Sequence, residues 1–579
     1  MNCAIALTAG LVLLASPVDG QAVDDPQAKP PIHREAPDDP YLPRPSAVRE
    51  APPPPKLPLA GGLSLPVQVN VDALGNNIHG DAANEPSIAV DPTAPNRITI
   101  GWRQFDTVKS NFRQAGWGYS HDGGRTWTFP GVLEPGVFRS DPVLDVDADG
   151  NFYYYSLTIV DGQFLCDLYI STDAGVSWIG PVAAWGGDKA WMAVDRTGGI
   201  GQGNIYCAWS VFAGCCGNDT FIRSTDGGMT FPTPSLIPFT PIFGSLVVGP
   251  GGELYVSGVA PFNFGIFLVA KSTTVQDPLI PISFELTTAI DLGGFLVLGA
   301  GPNPGGLLGQ AWVAVDHSTG PTRGHVYLLA SVNPPGPDPM DVMFARSTDG
   351  GLTWSAPIRV NDDPTDNGAW QWFGTMSVAP TGRIDVVFND TRNSGADNIS
   401  ELFYSFSADG GKTWSANDAM SPPFDSHIGW PNQNKLGDYY HMVSDRVGAN
   451  LAYAATFNGE QDVYFLRIGE YDCNDNGIAD SDDIADQTSG DCNENTIPDE
   501  CEIAAGTLAD KDRNGIPDKC EPAKCSADLD EDGIVGILDL LALLAAWGPN
   551  PDHPADFNRD GAVSILDLLA LLANWGPCP

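Results

Sequence analysis

From about residue 67 onward, short runs of Val, Ile, Tyr and Phe alternate with turns built on Gly, Asp and Pro, the period-two pattern of half-buried strands. Seven of these runs share one form, an apolar strand ending near a Val and passing into a turn: residues 87–91, 143–147, 191–195, 245–249, 312–316, 375–379 and 440–444. Copies spaced by roughly 50 to 65 residues, each with room for about four strands, predict the blades of a β-propeller. The body is therefore expected to be all-β, and no long amphipathic helix interrupts it before the tail. At 579 residues the chain is past the size at which a single core keeps growing, a limit that radial repetition avoids.

A second motif closes five of the units. It reads Ser120-His121-Asp122-Gly123-Gly124-Arg125-Thr126-Trp127 and returns at residues 171–178, 224–231, 347–354 and 407–414; the fourth and seventh units lack it. Its chemistry is that of a hairpin clasp: Gly takes the positive φ, Ser and Asp accept the turn's N–H groups, and the aromatic residue packs between sheets. Across about residues 67–470 the sequence resembles the Asp-box (BNR repeat) proteins, whose best-known members are the sialidases. The resemblance implies a sialidase-like β-propeller of six blades, where the pattern shows seven units. It also implies exo-acting glycoside hydrolysis on the face where the innermost strands begin, with the box itself structural. Sialidases open blade one with an Arg-Ile-Pro motif that clamps the substrate carboxylate. Here Asn84-Glu85-Pro86 stands in that place, so the leading arginine of the triad is missing.

Beyond residue 471 the composition turns to Asp, Asn, Gly and Cys with a period of 19. Asp472, Asn474, Asn476, Asp480 and Asp483 fall at positions 1, 3, 5, 9 and 12 of a loop whose sixth residue is Gly477. Asp491, Asn493, Asn495, Asp499 and Glu502 repeat the pattern, as do Asp510, Asp512, Asn514, Asp518 and Glu521. Alternating oxygen ligands about a tight turn point to Ca²⁺. The three loops resemble thrombospondin type 3 repeats. The last module is a duplication: Asp528, Asp530, Asp532 and Asp539, then Asp556, Asn558, Asp560, Ser564 and Asp567, each set leading into a short apolar helix. It resembles a type I dockerin, which implies paired EF-hand-type loops and a cohesin-like or cell-envelope docking partner selected through Ile537-Leu538 and Ile565-Leu566.

The ends and the charge narrow the picture. Residues 1–22 read as a secretory signal and 23–66 as a Pro-rich spacer. The propeller is then expected at 67–470, the thrombospondin-like repeats at 471–524 and the dockerin-like module at 525–579. A protein carrying 72 acidic and 29 basic residues, net −43, repels nucleic acid and anionic membranes, and no later run is long and apolar enough to span a bilayer. The expected setting is extracellular, with a glycan or glycoprotein as partner. Of the 11 cysteines, the ten outside the signal form an even set suited to an oxidising compartment. Pairing by the repeat period gives Cys473–Cys492 and Cys501–Cys520, with Cys525–Cys578 bracketing the last module.

Aligning the seven units places Glu85, Asp141, Lys189, Phe243, Gln310, Phe373 and Asp438 at one position of the innermost strand. Blades seven, one and two adjoin in a closed ring, so Asp438, Glu85 and Asp141 are expected to converge, with Arg103 and the Asp390/Arg392 pair flanking them. Such a group could be a general acid and base, a metal site, or a polar funnel holding water. Two functions follow: a binding propeller for extracellular glycan or protein, or an exo-acting, sialidase-like glycoside hydrolase. The histidines show no metal-ligand spacing.

Overall fold

The computed structural model describes residues 39–43, 65–521, 525–530 and 532–578. The expected signal segment and most of the Pro-rich spacer lie outside the described residues. Residues 67–469 form a seven-bladed β-propeller. Its innermost strands are Ala82–Val90, Ser140–Val146, Trp191–Val194, Leu246–Val248, Trp312–Val315, Gln371–Val378 and His441–Ser444, one per blade in chain order. Each pairs antiparallel with the next strand outward, and most blades have four strands. Blade 7 is finished by the first strand of the domain: Val67–Gln68 pairs with Asp462–Gly469, setting Val67 opposite Phe465 and closing the ring. Seven sheets, rather than the six that the resemblance implied, enclose the axis.

The repeated turns fold alike in all five copies. The Ser hydroxyl donates to the Asp carboxylate at 2.7–2.9 Å, and the following glycine N–H donates back to the Ser oxygen at 2.8–3.0 Å. The Asp also accepts the N–H of the Thr or Ser four residues on, at 2.9–3.0 Å. Each turn leans on the preceding blade. A Cβ on Gly411 would meet the Phe344 ring at 2.2 Å, and φ there is +77°, so only glycine fits.

Each innermost strand enters through a kink. Glu85, Asp141, Lys189, Phe243 and Phe373 adopt left-handed φ of 45–59°, although none is glycine. Strand register slips beside Glu85, Asp141 and Phe373, as at a β-bulge. In blades 5 and 7 a glycine just before the aligned residue takes the positive φ instead, Gly309 at 134° and Gly437 at 102°. The kink turns the aligned side chain inward. Deeper along the axis, Trp191, Trp312, Tyr439 and His441 stack edge-to-face and face-to-face with centroids 4.9–5.8 Å apart, filling the channel with rings.

The tail carries four short helices, α1 (Asp480–Ala485), α2 (Asp499–Ala505), α3 (Ile537–Ala545) and α4 (Ile565–Ala573). Its disulfides correct the expected pairing. Cys473 joins Cys501 and Cys492 joins Cys520, each 28 residues apart, and Cys525–Cys578 is as expected. The difference lies in loop position: each bridge runs from the second residue of one loop to the eleventh of the next, and not between equivalent cysteines of consecutive loops. Cys215 and Cys216 form a vicinal disulfide, while Cys166 and Cys207 are buried thiols. Among the described residues no helix is long and apolar enough to cross a membrane.

Candidate functional site

The inward kinks bring four of the aligned residues into one cluster at the mouth of the axis. Lys189 Nζ lies 2.7 Å from Asp438 Oδ2, 3.0 Å from Asp188 Oδ1 and 3.7 Å from Asp141 Oδ2. Lys435 Nζ sits 2.8 Å from Asp438 Oδ2 and 3.4 Å from Glu85 Oε1, whose other oxygen is 3.1 Å from Arg103 Nε. Backbone groups complete the arrangement: Lys189 N–H donates to Asp141 at 2.7 Å and Leu307 N–H to Asp438 at 2.7 Å. All of these side chains are at most 3 % exposed.

Charge balance explains how so polar a group tolerates burial. Asp141, Asp188 and Asp438 oppose Arg103, Lys189 and Lys435, three against three. Glu85 is the seventh ionisable member, and desolvation pushes its pKa up to about 8 against the pull of Arg103 and Lys435. With Glu85 protonated the cluster is neutral. A roof seals it. The hairpin Leu298–Ala300/Asn303–Leu307 and the segment 426–437 hold each other through Asn303, which donates to Gly437 O at 2.8 Å and accepts from Leu436 N–H at 2.9 Å. Ser426 Oγ adds a bond to Pro302 O at 2.8 Å. Asp39 reaches across from the N-terminal side, accepting from Asn111 N–H at 2.8 Å and Asn432 Nδ2 at 2.9 Å. The cavity beside Lys189 and Trp191 measures about 10 Å³, room for about one water.

Glu85, Asp141, Asp438 and Arg103 therefore converge as expected, whereas Asp390 and Arg392 do not flank them. The pair belongs to a second network between blades 5 and 6, because Arg392 is drawn to Asp362 and Asp363, and Gln371 donates to Asp390 at 3.2 Å and Asp363 at 3.1 Å. Arg359 binds Asp341 and Asp363 there, and Asn361 donates to both at 2.8 Å. Five carboxylates face two arginines, and burial raises the pKa of Asp338 and Asp390 to about 6 each. Lys435 and Asp188 were missed from the axial cluster. Lys435 lies outside the repeating frame, on the roof. Lys189 was visible in the aligned column, where its sign against three carboxylates was the available signal.

Of the histidines, His441 is half-buried on the axis. Its Nδ1 accepts the Ile88 N–H at 3.2 Å, and desolvation lowers its pKa to about 3, so it stays neutral as a packing group.

In the tail, hydrogen bonds link positions 1, 5 and 12 in each of the first three loops, and position 3 reaches position 12 in the first two. Asp472 accepts from Asn476 N–H at 3.0 Å and Gly477 N–H at 2.9 Å, and Asn476 Nδ2 reaches Asp483 at 2.7 Å. Asn493 and Asn495 reach Glu502 at 2.8 and 3.1 Å, Asp510 accepts from Gly515 N–H at 2.9 Å, and Asn514 reaches Glu521. Position 9 is engaged elsewhere: Asp480, Asp499 and Asp518 each accept the N–H of the loop's second residue, at 2.8, 3.1 and 3.0 Å. In the last module Asp528 and Asp556 accept from Gly533 and Gly561 at 2.8 Å. Asp539 and Asp567 hold the N–H groups of Leu529 and Phe557 at 2.6 and 2.8 Å. Oxygens of Asp528, Asp530 and Asp539 lie within 4.8 Å of one another. Like charges at that spacing, on a loop otherwise tied by its own N–H groups, form a donor set that fits a hard divalent cation held by oxygen.

The duplicated helices α3 and α4 have the same nine-residue sequence. Leu543 and Leu571 are buried in a shared core, while Ile537, Leu538, Leu541 and Leu544 and their counterparts Ile565, Leu566, Leu569 and Leu572 are exposed.

No protein-family model and no curated protein matches the sequence. Among solved structures the chain is similar to an α-L-arabinofuranosidase from Fusarium graminearum, 13 % identical over 71 % of this chain and 98 % of that one, TM-score 0.38. It is also similar to a polysaccharide lyase family 25 ulvan lyase, 13 % identical over 67 % and 94 %, TM-score 0.39. The NanB sialidase of Streptococcus pneumoniae matches at 11 % identity over 72 % and 71 %, TM-score 0.35.

Proposed function

We propose that this is a secreted, calcium-binding propeller of the Asp-box type that recognises an extracellular glycan or glycoprotein and is tethered by its dockerin-like tail. One observation carries the choice of binder over enzyme. The four axial residues offered as catalysts, Glu85, Arg103, Asp141 and Asp438, are fully buried and paired under a two-segment roof. A general acid or base must reach its substrate proton within hydrogen-bonding distance, and here that distance is filled by protein. Calcium is supported by the oxygen-donor sets of the loops, and tethering by the paired apolar helices. The test is a fluorogenic glycoside panel alongside a glycan array, both with Ca²⁺ and full-length protein. Binding without turnover on any sugar is expected. Turnover abolished by Glu85→Gln and Asp141→Asn, in folded protein, would overturn the reading.

A second reading, exo-acting glycoside hydrolysis, is favoured by the network between blades 5 and 6. Asp338 and Asp390, with pKa raised to about 6, lie there beside Arg359 and Arg392, and a carboxyl that keeps its proton toward neutral pH is what a general acid needs. Turnover lost in Asp390→Asn but kept in Glu85→Gln would select it.

A further inference from the structure

We infer that the first two calcium loops are a clasp across the seam where the propeller closes, so that their cation occupancy sets the stability of the ring itself. This rests on the calcium reading above and extends it from the tail to the propeller. Every closed ring of blades has one seam, and here it lies between blades 7 and 1, held at its outer edge by two residues of the N-terminal strand. The strand that accepts those residues, Asp462–Gly469, runs directly into Asp472, the first position of the first loop.

Three arginines from the two seam blades reach the loops. Arg125, in the turn of blade 1, stacks on Tyr471 with its guanidinium carbon 3.8 Å from the ring centroid, and its Nη2 is 3.9 Å from Asp480 Oδ2. Arg97, in the first hairpin of blade 1, donates to the carbonyls of Ala505 at 3.2 Å and of Ala504. These are C-terminal carbonyls of α2, unpaired within the helix and at the negative end of its dipole, so a guanidinium is the matching group. Arg446, in the first hairpin of blade 7, pairs with Asp475 of the first loop at 3.0 Å. The Cys473–Cys501 disulfide then ties the first loop to α2. Blade 7 holds loop one, blade 1 holds loop one and the helix of loop two, and the bridge completes the circuit.

The acceptors those arginines use exist only while the loops keep their shape. Tyr471 O receives the Asp480 N–H at 2.8 Å, and α2 begins at position 9 of the second loop, so unfolding either loop removes a ring contact, an acceptor carbonyl or a carboxylate from the seam. Coupling of this kind is reciprocal: cations tighten the seam, and the seam tightens the cations. The dockerin-like loops make no part of the circuit described.

The experiment uses the full chain in two states, with saturating CaCl₂ and after chelation, and follows propeller melting by near-ultraviolet circular dichroism. Calcium uptake is measured by competition with a chromophoric chelator. Wild type is expected to lose several degrees of propeller Tm on chelation. In an Arg97→Ala/Arg125→Ala/Arg446→Ala variant the Ca²⁺-dependent part of that shift should vanish, and cations in the first two loops should bind about five-fold or more weakly, the lower end of ordinary coupling. The single Arg446→Gln change, at an exposed site, gives a smaller effect of the same sign without risk to folding. Asp528→Ala/Asp556→Ala should leave the propeller transition where it was. Calcium uptake with an unmoved wild-type propeller Tm would overturn the clasp and spare the calcium reading. No uptake at all would overturn both.

Discussion

Replacing Asp438 by Asn removes one charge from the axial cluster and almost no volume. The amide can still accept the Leu307 N–H, but Lys189 and Lys435, at 2.7 and 2.8 Å, lose the carboxylate they share. Removing one partner of a buried pair costs about 3–5 kcal/mol, because the remaining charge stays buried without compensation. A propeller of roughly 400 residues unfolds with an entropy near 0.8 kcal/mol/K, so Tm should fall by about 4–6 °C. Differential scanning calorimetry at pH 7 with Ca²⁺ present measures it. Adding Lys189→Met removes one of the stranded ammonium groups, and the double variant should recover about 1–3 kcal/mol relative to the sum of the single changes. A single variant melting within about 1 °C of wild type would refute the reasoning, since it would mean that water, and not the carboxylate, satisfies the two lysines.

Glu85→Gln should be nearly neutral at pH 4. Because burial raises the Glu85 pKa to about 8, its contribution is present at low pH and is lost as pH rises from about 4.5 through 8, so the variant should be the more stable protein above pH 8 in thermal melts. Asp338→Asn should stabilise the fold at pH 7 by about 1–3 kcal/mol and have little effect at pH 4, since that carboxyl ionises near 6 with one buried oxygen lacking a hydrogen-bond donor; chemical denaturation at the two pH values checks this. Asp409→Ala should lower Tm slightly by freeing the N–H groups of Lys412 and Thr413, with ligand binding on the array unchanged. Peptide mapping without reduction should recover Cys473 with Cys501 and Cys492 with Cys520; recovery of Cys473 with Cys492 would reject this connectivity.

What could be read in the chain was what repeats. The seven innermost strands, the five clasps and the positions of the tail loops follow from periodic residues whose local chemistry decides their conformation, and a turn of Ser, Asp and Gly closes in the same way wherever it occurs. The cluster was half legible for the same reason. Glu85, Asp141 and Asp438 occupy equivalent positions, so convergence followed from symmetry alone. Lys435 has no counterpart in other blades, and nothing in its neighbourhood of the chain says that the roof returns it to the axis. Arg392 misled because the end of a second strand fixes which face a residue occupies but not which neighbours compete for it, and Asp362 and Asp363 were nearer. The disulfides failed on a similar point: a period of 19 identifies equivalent cysteines, while the bridges connect inequivalent ones, the second residue of one loop with the eleventh of the next.

The left-handed entry to the innermost strands makes the channel mouth a set of interchangeable sockets. Glu85, Asp141, Lys189, Phe243 and Phe373 differ in charge and bulk, yet the main chain presents each through the same left-handed turn. Polarity at the hub can thus drift, from ionic on one side to aromatic on the other, without any blade being rebuilt. A designer wanting to retune the buried hub of this wheel could rewrite those few residues and leave the spokes untouched.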